Sequence, residues 1–134
     1  SGTLGTKQLN NFEQALSSDS KRKFVFIHYP IIFTDGNTYF MLADPAEKLK
    51  LLYLTDEYTI DMFFTGHNHE PSFDTNGTFA QYVAGSLRPD KDDIRYWTFV
   101  TVDEAAQTLV FKRYSLRTGE TTPSTWIRTY NFIP

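Results

Sequence analysis

The chain has 134 residues, no cysteine and a formal net charge of −3. That length fits one domain, and 40% hydrophobic with 16% aromatic residues supplies a sizeable core. The composition excludes a disulfide scaffold and thiolate-bound metals. It offers no basic field for nucleic acid or anionic membrane, and no apolar run approaches the roughly 20 residues of a membrane span.

The first segment predicts a helix from about Lys7 to Leu16, with Thr6 as N-cap and Leu9, Phe12, Ala15 and Leu16 on one face. Ser17-Ser18-Asp19-Ser20 ends it, and the basic run Lys21-Arg22-Lys23 leads, solvated, into the next element. Phe24-Val25-Phe26-Ile27 is apolar without alternation, the pattern of a strand covered on both faces in a parallel sheet. His28 stands at its carboxyl end, just before Tyr29-Pro30. From Pro30 to Ala43 regular patterning is lost, and Asp35-Gly36-Asn37 reads as a turn in a loop that would overhang the strand end. Asp44-Pro45-Ala46-Glu47 then combines an N-cap, a proline at the first helical position and a glutamate at capping-box spacing. A helix should run from there to about Glu57. Leu49, Leu51, Leu52, Tyr53 and Leu54 make it nearly apolar all round, which predicts packing between layers.

Ile60-Asp61-Met62-Phe63-Phe64 predicts a second buried strand, and the intervening span is long enough for a right-handed βαβ crossover. The two strands should be parallel neighbours. Thr65-Gly66-His67-Asn68-His69 follows, so all three histidines fall at strand ends, where open α/β sheets place their ligands. Imidazole is the commonest metal ligand, and a G-H-x-H segment fans two ring nitrogens from one backbone hinge. Gly66 is expected to turn the chain where no Cβ would fit. The plainer alternative has His67 and His69 lining a polar turn and His28 as a satisfied core histidine; three of three at strand ends favours a metal or catalytic cluster. Among nearby acids, Glu70 reads as a surface or supporting group, while Asp35, Asp44 and Asp74 have turn or capping roles that explain them without metal.

Asn76-Gly77-Thr78 satisfies a glycosylation sequon, but Asn-Gly between Phe73-Asp74-Thr75 and Thr78-Phe79 is favoured as a hairpin turn. The rest reads as antiparallel sheet: Thr78 to Ala84, Ile94 to Val102, Thr108 to Tyr114 and Trp126 to Ile133, broken by Arg88-Pro89-Asp90 and Thr118-Gly119-Glu120. Ile94, Tyr96, Thr98, Val100 and Val102 share one largely apolar face. Trp97 and Phe99 keep the opposite face from being polar, so this sheet wants cover on both sides.

His28-Tyr29-Pro30 followed by Gly66-His67-Asn68-His69 resembles the H-x-P and G-H-x-H motifs in the C-terminal half of the calcineurin-like metallophosphoesterases. The resemblance implies an α/β fold, the C-terminal half of a four-layer α/β/β/α sandwich in which a βαβ unit is followed by antiparallel strands. Residues 1–134 would form a single partial domain. Carried over residue by residue, His28 and His67 would ligate one metal and His69 a second, with Tyr29 and Asn68 near the substrate. The implied cofactors are two divalent ions of the manganese, iron or zinc class, bridged by a hydroxide that attacks phosphorus. The family's D-x-H, G-D-x-x-D and G-N-H-E motifs are absent, so no catalytic residue is identified in this chain, and the segment alone is expected to be inactive or weakly metal-binding.

Two functions follow as expectations. The first is a portion of a metal-dependent phosphoesterase (phosphatase or phosphodiesterase), a hydrolase acting on a phosphoester substrate. The second is a noncatalytic binding or assembly module that retains the histidines. An H-N-H nuclease is disfavoured, because that motif is spread over a ββα unit and the chain lacks a basic surface. An exposed apolar sheet face is expected where the family's N-terminal half would pack, covered by that half or by self-association.

Overall fold

The computed structural model describes residues 2–18, 21–31, 44–75, 78–90 and 92–132. Helix α1 (Thr6–Ser18) buries Leu9 and Leu16 of the expected stripe. It begins one residue early, with Leu9 N–H already donating to the Gly5 carbonyl at 3.1 Å. Strands β1 (Phe24–Phe26) and β2 (Met62–Thr65) are parallel neighbours joined through helix α2 (Pro45–Glu57), with Phe24 opposite Met62 and Phe26 opposite Phe64. The βαβ unit therefore forms as its pattern predicts. Residues 32–43, most of the predicted overhanging loop and its Asp35 turn, lie outside the described residues.

The start of α2 follows from its sequence. Asp44 is extended, its carboxylate accepts the Ala46 N–H at 2.8 Å, and Pro45 takes the first helical position, where no N–H is needed. Glu47 is turned to a task other than capping. It is buried, and its two carboxylate oxygens accept the N–H groups of Leu4 and Gly5 at 2.7 and 2.6 Å, which ties the entry of α1 to α2. Nor does α2 pack between layers. Leu51 and Leu54 are buried, but Leu49 and Tyr53 are 67% and 50% exposed, because one side alone of this helix meets the sheet.

Strand β4 (Ala80–Val83) pairs parallel with β2 and antiparallel with β3 (Ser72–Thr75), giving the order β1-β2-β4-β3. This corrects the assignment of Thr78 to Ala84 to the later antiparallel sheet. All four residues of β4 are buried, as a strand with neighbours on both edges and cover on both faces requires. Asn76 and Gly77 lie outside the described residues, but the strands flanking them pair with Thr75 opposite Ala80, as in a hairpin.

The second sheet is antiparallel, in the order β5-β6-β7, from β5 (Ile94–Asp103), β6 (Thr108–Arg117) and β7 (Ser124–Asn131). Its inward residues Leu109 and Phe111 meet Met62, Ala80 and Tyr82 of the first sheet in one apolar cluster. Tyr82 anchors both layers: its ring lies 4.9 Å from that of Phe111, and its hydroxyl shares a 2.6 Å hydrogen bond with Thr98. Leu9, Leu16, Leu51 and Leu54 of the helices pack with Phe63 and Phe79 on the other side of the first sheet. The layers are thus helix, sheet, sheet.

Two contacts set how the sheets meet. At one end, Arg22 bonds Asp61 at 2.8 Å and lays its guanidinium 4.0 Å from the Phe132 ring, while the same buried Asp61 accepts the Lys23 N–H at 2.8 Å. At the other, the chain passes from β4 toward β5 through Gly85 at φ +78°, where an added Cβ would stand 3.0 Å from Tyr96 Cβ and 3.2 Å from Pro71 Cδ. That position requires glycine on both counts.

Leu54→Ala and Phe111→Ala should each cost about 2–5 kcal/mol in urea unfolding, because both side chains are fully buried and leave cavities. Ile127→Ala, at 62% exposure, should stay within about 0.5 kcal/mol of the parent.

Candidate metal centre

The β1–β2 ladder runs on beyond the strands and brings two histidines together. Ile27 N–H donates to the Phe64 carbonyl at 3.0 Å, and Gly66 N–H to the His28 carbonyl at 3.0 Å. One residue further, His28 Nε2 and His67 Nδ1 are 3.2 Å apart. Because the strands are parallel, both rings project from the same carboxyl-terminal edge. Tyr29 closes the group, its ring 4.9 Å from His28 and 4.6 Å from His67.

The backbone hinge is His67, at φ +63°. This corrects the role expected of Gly66: a Cβ there would meet His28 atoms only at 3.7–4.0 Å, ordinary contact. Histidine tolerates the left-handed region better than most residues. Asn68 N–H folds back onto the Gly66 carbonyl at 2.7 Å, so Asn68 has a turn role in this backbone.

His69 is directed elsewhere. Its Nδ1 lies 2.5 Å from Asp90 Oδ2, with both side chains about half exposed. A carboxylate on Nδ1 fixes the tautomer and leaves Nε2 as the lone-pair nitrogen, the arrangement that orients metal-binding imidazoles. Asp90 is the partner of His69 that the sequence concealed. Its one signal, Arg88-Pro89-Asp90, reads as a turn. Of the other acids, Asp44 caps α2, and Asp74 is buried on β3 with Ser72 Oγ donating to it at 2.8 Å.

The donor set fits part of a metal centre. Two imidazole nitrogens on a tetrahedral ion at 2.0–2.1 Å stand about 3.3 Å apart, close to the 3.2 Å between His28 and His67. Yet no group of three or more histidine, aspartate or glutamate side chains converges among the described residues. A carboxylate positioned to hold two cations close is missing from them. Partial desolvation, then the neighbouring His28, lowers the His67 pKa below its ordinary 6.5. Both effects favour the neutral ring. Beyond the imidazoles a groove runs between the two sheets, lined by Phe26, Phe64, Leu87 and Val100. Phe26 and Leu87 are 77% and 69% exposed.

No family model matches the chain, and no curated protein matches it in sequence. Solved structures match it in fold. Vps29 of Chaetomium thermophilum aligns over 97% of this chain and 66% of its own, at 14% identity and a TM-score of 0.52. Vacuolar protein sorting 29 of Cryptosporidium parvum aligns over 72% of this chain and 49% of its own, at 17% identity and a TM-score of 0.49. A zinc-complexed Vps29 of Entamoeba histolytica aligns over 69% and 49%, at 16% identity and a TM-score of 0.44. The chain spans about half the length of the latter two. At such identities the likeness is one of fold. The chain has the mixed α/β, metallophosphoesterase-like fold of the Chaetomium protein.

Stability should fall with acidity in a defined window. A folded-state pKa below 6.5 means that the unfolded chain binds the proton more readily, so stability is fully present above about pH 6.5 and declines as pH drops through the folded value. NMR titration of the imidazole protons should place His67 below 6.5. Urea midpoints between about pH 7.5 and 5 should fall in the parent and fall less in His67→Asn, which keeps a residue tolerant of the left-handed backbone.

Proposed function

We propose that this chain is a noncatalytic binding or assembly module built on a metallophosphoesterase-like fold. The observation that carries this reading is the groove between the sheets, whose apolar wall runs from Phe26 and Phe64 to Leu87 and Val100 and is largely open to water. Exposed apolar surface of this kind marks an interaction site. The likeness to a protein named for vacuolar sorting, rather than for catalysis, is in keeping with it. A partner segment seated in the groove would cover Phe26 and lie beside the histidines. In its absence a second copy of the chain is the available occupant.

Two observations keep a second reading in play, that of a portion of a metal-dependent phosphoesterase. The His28–His67 separation suits two corners of one ion, and the His69–Asp90 pair suits an imidazole poised for another. In this reading His28, His67 and His69 would hold the ions and Tyr29 and Asn68 would face a phosphoester; bound metal would supply an activated water and offset charge on the reacting oxygens. It needs bridging carboxylates beyond those found in the described residues.

One preparation separates the two. Under the assembly reading, excess manganese or zinc leaves the thermal midpoint unchanged, bis(p-nitrophenyl) phosphate is not hydrolysed, and sedimentation velocity detects concentration-dependent association that Phe26→Asp removes. A metal-dependent rise in midpoint together with hydrolysis, both lost in His67→Ala, would replace it with the catalytic reading. A monomer at all concentrations that binds no hydrophobic dye would count against the open groove as a docking site.

A further inference from the structure

Beyond Tyr82 the inner face of the second sheet turns polar. Strand alternation puts Arg113 and Ser115 on the same side of β6 as the buried Leu109 and Phe111. Register sets Arg113 between Thr98 and Trp126, and Ser115 between Tyr96 and Ser124. The Arg113 guanidinium lies 4.3 Å from the Trp126 ring and 6.0 Å from that of Tyr96. Tyr96 belongs to the adjacent row, opposite Ser115, so the two rings frame the cation beside the two serines. Stacking on aromatic faces engages the plane of a guanidinium and leaves the N–H groups on its edge free to bond.

Other arginines of the chain are bonded. Arg22 donates to Asp61, Arg95 to Thr118 and Arg117 to the Asp92 carbonyl. Among the described residues, neither an ion pair nor a side-chain hydrogen bond engages Arg113, Ser115 or Ser124. Arg113, Ser115 and the two framing rings are half-buried, which makes an uncompensated charge costlier there than on an open surface. The acids at this end of the sheet, Asp92, Asp93 and Glu120, lie outside the strands, and the Glu120 carboxylate accepts the Arg117 N–H at 2.9 Å. A guanidinium edge offers two parallel N–H donors and each serine adds a hydroxyl, a set that suits the three oxygens of a phosphoryl group better than the two of a carboxylate. We infer that Arg113, Ser115 and Ser124 form a binding site for a phosphomonoester dianion, Arg113 gripping two of its oxygens and the serine hydroxyls the third. Trp126 and Tyr96 hold the guanidinium in place. These three donors belong neither to the imidazole group nor to the lining of the groove, so the site stands apart from both readings above.

The test titrates the isotope-labelled 134-residue chain with sodium phosphate, O-phosphoserine and sodium acetate, followed by NMR of the amide and arginine side-chain N–H groups. Both phosphoryl compounds should move the Arg113 Nε–H and the Ser115 and Ser124 amides along saturable curves, with acetate at least about tenfold weaker. The tighter of the two identifies the source, a free phosphate or a phosphorylated side chain. Phosphoserine affinity should fall as pH drops through about 6, where the dianion takes up a proton. Arg113→Lys keeps the charge but loses the fork, and should weaken binding at least about tenfold. Ser124→Ala should weaken it at least about threefold. Ser124 is exposed, so this variant carries the test if the urea midpoint of Arg113→Lys moves. Lys112→Gln, on the opposite face of the strand, should leave affinity unchanged. Acetate binding as tightly as phosphate, curves that do not saturate, or affinity that survives in both Arg113→Lys and Ser124→Ala overturns the inference. So do shifts confined to His28 and His67, which would place the anion at the imidazoles.

Discussion

The parallel pairing of β1 with β2 is the constraint on which the candidate site depends. Neither strand is long, and β1 has three residues, yet their register determines that the chain leaves both at the same edge and at the same height. A one-residue slip would turn Phe63 from the helices toward the second sheet and separate the imidazoles. What holds the register is mostly remote from the histidines. Asp61 at the opposite end bonds Arg22 and the Lys23 amide, and Phe63, Met62 and Tyr82 fill the layers on either side. The geometry of the site is thus supplied by a half-buried charge pair and two apolar layers, not by the residues that form it.

The sequence disclosed much of this because its strongest signals are local. Unbroken apolar runs announced β1 and β2, the Asp44-Pro45 pair marked the start of α2, and alternation outlined β5 to β7. Three histidines at two strand ends pointed to one place, and the fold brings two of them into contact. The readings that missed depended on tertiary partners. Glu47 looks like a cap until Leu4 and Gly5 arrive from more than forty residues away. Strand β4 looks like its antiparallel successors, since nothing in Ala-Gln-Tyr-Val states which edges it will pair. Asp90 looks like a turn residue, because its meeting with His69 is made by folding across 21 positions.

Apolar surface is distributed unevenly over the molecule. The helices close one side of the first sheet and the second sheet closes the other, so this sheet is sealed over most of its area. Among the described residues, the second sheet is sealed on one face only. Its first strand also overhangs the core, so Val100 and Val102, inward by alternation, remain 36% and 44% exposed. A lone domain gains little by keeping such residues in water, whereas a domain that works in company has a use for them.

Gly85 gives the groove a property that side chains alone would not. Where the chain crosses from β4 toward β5 at φ +78°, the backbone lies so near the Tyr96 and Pro71 side chains that a methyl group would press on both at 3.0–3.2 Å. The separation of the sheets at that end is therefore a dimension of the main chain. Sequence drift along the walls can change what the groove prefers while leaving its aperture alone; drift at this one glycine would change the aperture itself. The spacing at that end is held as long as residue 85 carries no side chain.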